Sequence, residues 1–225
     1  MYQRLSRGSR HPNVTRTLLF LCLVCVQGRA ADPDLNTVLR GVEARYNRAK
    51  TLQVLFTESY TGQGRPRQSE SGQLTLRKPG RMRWDYTTPP GKLFLSDGKQ
   101  VYIYNPVLNQ VEKMPLKASE DMRAPLAFLL GKLDFSKEFR DIQMRIDGAG
   151  FRVTALAQSD KLPYDRIDML VSPDYAIQQL IVNGQDQSVL TFHFDQEKLN
   201  PTVDDARFKF VMPRGATLVT GESGQ

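Results

Sequence analysis

SGQLTLRKPGRMRWDYTTPPGKLFLSDGKQVYIY, residues 71–104, packs three or four short strands and their turns into one meander. Apolar side chains recur at every second position through Leu74 and Leu76, then Met82, Trp84 and Tyr86, then Leu93 and Leu95. Arg77, Arg81, Arg83 and Asp85 take the opposite face. A period of two is that of a half-buried strand. Lys78-Pro79-Gly80, Pro89-Pro90-Gly91 and Asp97-Gly98 are turn signals, because proline presets φ and glycine accepts positive φ. The greasy face must be buried; a core is the default occupant and a bound lipid the alternative. The basic run Arg77, Lys78, Arg81 and Arg83 reads as a solvated strand face.

The same rhythm extends in both directions. Leu52, Val54 and Phe56 alternate with polar neighbours, and residues 62–66 form an exposed hairpin loop. Residues 101–104 are apolar on both faces, which predicts cover on both sides. Further strands are expected near residues 142–146, 151–157, 166–171, 176–182 and 189–195, separated by Asp147-Gly148, Ser159-Asp160, Ser172-Pro173-Asp174 and Asn183-Gly184. Two segments change to helical spacing. Asp34 can cap a helix over residues 35–49, whose Leu35, Val38, Leu39, Val42 and Tyr46 share one face. Residues 122–133 read as a second helix with Pro125 in its first turn, and a short helical piece is expected around Phe135 and Phe139. The fold class is therefore mainly β with α. Ten or eleven antiparallel strands in one domain curl into a barrel or half-barrel with an apolar inside, which the helices can plug or lid. Alternation does not distinguish a strand lining a cavity from one lining a core.

Residues 1–30 read as an export signal: Arg4, Arg7, Arg10 and Arg16 precede the apolar run 18–26, and Gly28, Ala30 and Ala31 supply small side chains for cleavage near Ala30. The run is too short to span a bilayer. Cys22 and Cys25 follow Leu21 and Val24, where a lipid-modification site needs a small residue, so no lipid anchor is expected. Removing five arginines leaves 26 basic residues against 24 acidic ones, so the formal charge falls from +7 to +2. That balance gives no nucleic-acid footprint. Both cysteines leave with the signal, so no disulfide or thiolate metal site is expected. About 195 residues remain, enough for a single domain, residues 31–225, that buries roughly 70% of its unfolded surface. His193 lies between Phe192 and Phe194 and points away from their face, with no second histidine after the signal to join it. No catalytic constellation, metal-ligand spacing or phosphate loop appears, which argues against an enzyme and against a cofactor.

Several motifs together resemble one family. They are Ser71-Gly72, Lys78-Pro79, Arg83-Trp84-Asp85-Tyr86 with Pro89, Ser96-Asp97-Gly98-Lys99, the run from Val101 to Pro106, and Gln110-Val111. They continue with Pro125-Leu126-Ala127-Phe128-Leu129-Leu130 and Ala206-Arg207-Phe208-Lys209-Phe210, then Pro213 and Gly215. In order and spacing the chain resembles the LolA family of periplasmic outer-membrane lipoprotein carriers. The resemblance implies an unclosed antiparallel β-barrel with an N-terminal helix and mid-chain lid helices around a hydrophobic cavity. It also implies a monomer that receives the acyl chains of lipoproteins from an inner-membrane ABC transporter and passes them to an outer-membrane acceptor. On that reading Val54, Phe56, Leu74, Leu76, Met82, Trp84, Leu93 and Leu95 line the lipid site. Lys78 stands where the best-known members carry an arginine that bonds to the lid, and an ammonium lacks the planar fork of a guanidinium. Carriage of another amphiphile, or lipid sensing by a regulator of the same fold, are the alternatives. The sensors of this fold usually carry a further C-terminal domain.

Overall fold

The computed structural model describes residues 1–2, 33–62, 65–116 and 132–220. Asp34 caps the first helix by accepting a hydrogen bond from the Thr37 N–H at 2.7 Å, and α1 then runs Leu35–Arg48. Its buried residues are Val38, Val42 and Tyr46, one per turn on a single face. Arg45 and Arg48 sit in the last turn, where the helix dipole favours positive charge.

Thirteen strands follow among the described residues: β1 (Thr51–Gly62), β2 (Arg65–Pro66), β3 (Glu70–Arg77), β4 (Arg81–Thr88), β5 (Leu93–Asp97), β6 (Gln100–Asn105) and β7 (Gln110–Pro115) form the first group. After the short helix α2 (Phe135–Glu138) come β8 (Phe139–Asp147), β9 (Gly150–Ala157), β10 (Tyr164–Val171), β11 (Ile177–Gly184) and β12 (Val189–Leu199). A 3₁₀ turn, Asp205–Phe208, leads to β13 (Thr217–Thr220). The sheet order is β13-β7-β6-β5-β4-β3-β1-β12-β11-β10-β9-β8, with β2 paired to β1. Two meanders, β3–β7 and β8–β12, thus flank β1, and the outer strands β13 and β8 do not pair, so the barrel is unclosed. The expected count of ten or eleven strands omitted the two-residue β2 and the C-terminal β13, which joins β7 in parallel. Residues 122–131 of the expected second helix, like the expected signal segment 3–30, lie outside the described residues.

The sheet is strongly curled. Trp84 on β4 and Phe192 on β12 are three strands apart, about 14 Å in a flat sheet, yet their ring centroids lie 5.3 Å apart. Bulges contribute to the bend: the β1–β12 register shifts between Gln53 and Leu55, opposite Gln196, whose φ is +53°. At Gly72 a Cβ would stand 2.1 Å from the Asp85 carbonyl oxygen, so glycine alone fits the close approach of β3 to β4. One continuous apolar cluster fills the inner face, from α1 through both meanders. Pro33–Gln225 folds as one compact unit.

Candidate functional site

Strand pairing fixes which side chains share the inner face, because residues directly opposite in an antiparallel pair point the same way. Val54 pairs with Leu74, Leu74 with Trp84, and Leu76 with Met82. Phe56 sits two residues beyond Val54, and all six of these sequence-predicted positions are buried in the inner cluster. An aromatic wall forms at their centre. The Phe56 ring meets Trp84 edge-on at 4.6 Å and Tyr86 at 5.1 Å, and Trp84 reaches Phe192, which stacks on Phe194 at 5.9 Å. Among the described residues the buried Trp84 Nε1–H has no hydrogen-bond partner. A buried donor left unpaired is costly, and its presence shows that the wall around Trp84 is apolar.

Leu93 and Leu95 are on the other face. Leu93 pairs with Asp85 and Leu95 with Arg83, whereas Phe94 pairs with Trp84. The inner positions of β5 are therefore Phe94 and Ser96. Leu95 is fully buried all the same, because the 3₁₀ turn Asp205–Phe208 packs over β4 and β5 from outside. This small outer cluster stands apart from the inner one. Tyr102, paired with Leu95, also faces out and stacks on Phe210 at 4.5 Å with the rings 3° from parallel. Tyr104 faces out as well and donates from its hydroxyl to Asn109 Oδ1 at 3.1 Å.

Polar groups gather at one end of the wall. The Tyr86 hydroxyl donates to Glu58 Oε2 at 3.1 Å, and the Lys92 ammonium lies 4.5 Å from the Tyr86 ring centroid and pairs with Glu70. Glu58 continues the inward parity of Val54 and Phe56, which is the signal that would have placed this buried acid on the inner face. Phe94 is missed because the sequence reading gives β5 the opposite facing, and Leu180, Met169 and Ile167 because their strands carry no facing assignment in it.

Lys78 reaches α1. Its Nζ donates to the Tyr46 carbonyl oxygen at 2.9 Å, and partial burial pushes its pKa below the usual lysine value. Arg77 and Arg81 face out instead and pair with Asp205 at 2.9 and 2.6 Å. The cleft beneath Lys78, lined by Tyr46, Ala49, Leu52 and Leu76, measures about 10 Å³, room for one water at most. The helix is fixed at several points. Tyr46 donates its hydroxyl to Glu197 Oε2 at 2.7 Å and accepts from the Ile177 N–H at 2.9 Å. Asn47 brackets Leu133, donating to its carbonyl oxygen at 2.8 Å and accepting from its N–H at 2.7 Å, and Glu43 accepts from the Phe135 N–H. The chain entering α2 is thus tied to α1. His193 is exposed on the outer face, with its Nε2 3.3 Å from Gln179 Nε2.

Residues 47–211 match the family model described as outer membrane lipoprotein carrier protein LolA. A protein of Proteus mirabilis named outer-membrane lipoprotein carrier protein is 27% identical over 205 residues, which cover 90% of this chain and 97% of that one. One of the same name from Pectobacterium atrosepticum is 29% identical, over 89% of this chain and 96% of that one. Among solved structures, an uncharacterized conserved protein of Thermus thermophilus aligns with a TM-score of 0.52 at 12% identity, over 82% of this chain and 98% of its own, a likeness of fold.

Proposed function

The chain belongs to the LolA family of outer membrane lipoprotein carriers, and from that premise we propose that it is a periplasmic shuttle whose inner wall holds the acyl chains of lipoproteins in transit between membranes. The observation that carries this reading is the curled inner face, where Phe56, Trp84 and Phe192 meet and even the indole N–H has no polar partner among the described residues. Apart from that one donor such a wall offers dispersion contacts, which suits an alkyl chain of any exact structure. The need is energetic. At ~0.8 kcal/mol per CH₂, exposing one chain of roughly 15 methylenes to water costs about 12 kcal/mol, so unassisted crossing is very slow.

On this reading residues 1–30 are removed on export and residues 31–225 are the carrier, a monomeric binding protein and not an enzyme. An inner-membrane ABC transporter supplies the work of extraction, and an outer-membrane acceptor takes the cargo. Lys78, the residue expected to hold the lid, gives its one hydrogen bond to the Tyr46 carbonyl in the last turn of the N-terminal helix α1, and on this reading it steadies the helix beside the mid-chain lid. Depleting the protein is expected to strand outer-membrane lipoproteins at the inner membrane, and the purified carrier to release a lipoprotein from inner-membrane vesicles only when ATP drives the transporter. Normal lipoprotein sorting after depletion, with tight binding of another lipid, would replace this reading with carriage of a different amphiphile.

A further inference from the structure

Of the eight large apolar side chains left exposed among the described residues from 33 to 220, six fall in two segments, Val107-Leu108 and residues 211–219. Leu55 and Ile146 stand alone on the sheet. The two segments meet at one end of the β6–β7 hairpin. Phe210 is stacked on Tyr102 in β6, and beyond it the Thr217 N–H donates to the Asn109 carbonyl oxygen at 3.0 Å, so residues 211–216 bridge to the hairpin turn. Gly215 lies against the Asn109 amide, and that turn is closed by Asn109 N–H donating to the Pro106 carbonyl oxygen at 3.4 Å. Val107 is 86% exposed and Val211 79%, with Leu108 at 61% and Met212 at 43%, values for side chains standing clear of the surface.

Around the turn and residues 211–216 the charge has one sign, while the exposed Glu112 stands beside Val219 further along β7. Residues 98–111 and 206–221 contain no Asp or Glu. Lys209 and Arg214 flank Val211 and Met212, are exposed, and make no ion pair among the described residues. The wider distribution agrees: residues 33–116 hold 13 basic and 7 acidic side chains, and residues 132–199 hold 8 basic and 11 acidic. The chain is therefore electrically polarised, with this corner on its basic side.

We propose that the corner built from the β6–β7 turn and the segment after Phe210 touches the surface of an anionic lipid bilayer. Aliphatic tips that enter the interfacial region between cations drawn to lipid phosphates are the chemistry of reversible membrane contact. A protein partner fits less well. The tips come from two turns and not from a pocket, and the aromatic side chains here are engaged within the chain, Tyr102 with Phe210 and Tyr104 with Asn109, whereas protein hot spots centre on Trp, Tyr and Arg seated in pockets. The contact rests on the carrier reading only for its use, which is to turn one end of the molecule towards the membrane it serves.

The test takes the protein as it accumulates in the producing cell and measures co-flotation with vesicles of phosphatidylethanolamine and phosphatidylglycerol, against vesicles of phosphatidylcholine alone. Flotation is expected only with the anionic vesicles and is expected to fade as salt is added. Lys209→Gln and Arg214→Gln should each weaken it about fivefold. Val107→Asp with Val211→Asp should abolish it, and Leu55→Asp should leave it unchanged. All variants should take up a fluorescent long-chain fatty acid as the parent does, which also confirms that they fold. Equal flotation with both vesicle types, indifference to the Val107 and Val211 changes, or no flotation while this corner crosslinks to a protein would overturn the proposal. A parent protein that floats but takes no fatty acid would retain the contact and remove the carrier reading.

Discussion

Phe94 and Leu95 are neighbours in sequence and face opposite ways, which allows the inner wall to be tested against the outer cluster with two substitutions. Both side chains are essentially inaccessible to solvent. Leu95→Ala empties a site enclosed by β4, β5 and the 3₁₀ turn, and a fully buried leucine truncated in this way costs about 2–5 kcal/mol. For a unit of this size, 1 kcal/mol lowers Tm by roughly 2–4 °C. A central cost of about 3 kcal/mol therefore predicts a fall of about 6–12 °C. Acyl binding should not change, because Leu95 shares its face with Arg83 and Tyr102. Phe94→Ala should destabilise by a similar or larger amount and also weaken acyl binding. Loss of on the order of 40 Å² of wall, at about 25 cal/mol per Å², is about 1 kcal/mol, or a fivefold rise in Kd. Thermal melts by circular dichroism and titration with a fluorescent acyl probe read the two effects separately. A Leu95→Ala variant that loses affinity while Phe94→Ala keeps it would refute the facing assignment and the acyl wall built on it.

Tyr46→Phe removes a hydroxyl that serves Glu197 and the Ile177 N–H together, leaving a charged acceptor and a buried donor each short of a partner. Urea denaturation should show a loss of about 2–4 kcal/mol; a loss below about 1 kcal/mol would mean that packing of Val38 and Val42 alone holds α1. Burial pushes the Tyr164 hydroxyl up to about 12, and burial with the nearby Glu197 carboxylate pushes Tyr46 up further still. Both folded values are raised above the unfolded value of about 10, so their stabilising contribution is fully present below pH ~10 and is lost as pH rises towards ~12. Denaturation midpoints taken across that window should fall; midpoints that stay level would contradict the burial argument.

Local signals made most of the fold legible. Asp34 as a cap, the one-sided apolar face of α1, and strands near their observed limits all follow from spacing and turn chemistry within a few residues. The facing of β5 did not, for a physical reason. Leu93-Phe94-Leu95 is apolar at three consecutive positions, so period two gives no parity, and the strand carries an outward leucine only because a distant segment covers it. The parallel β13 was hidden in the same way, since nothing within residues 217–220 tells which strand they will join.

The basic run shows how far such a partner can lie. Read locally, Arg77, Arg81 and Arg83 are a solvated strand face. In the fold each is engaged with residues 203–207: Arg77 donates to the Val203 carbonyl oxygen at 2.8 Å, Arg81 pairs with Asp205, and Arg83 donates to the Arg207 carbonyl oxygen at 3.0 Å. Asp85 accepts from both Arg83 and Arg207, at 2.8 and 2.7 Å. These partners are more than 120 residues away in sequence. Ion pairs this exposed contribute at most about 1 kcal/mol each, so they set the path of the segment more than its stability. Val203 and Phe208, buried against the outer face, and Phe210 on Tyr102 hold it there. The same anchoring delivers Lys209, Val211, Met212 and Arg214 to the hairpin turn, so the residues that pin the segment to the barrel also determine what the barrel presents at that end.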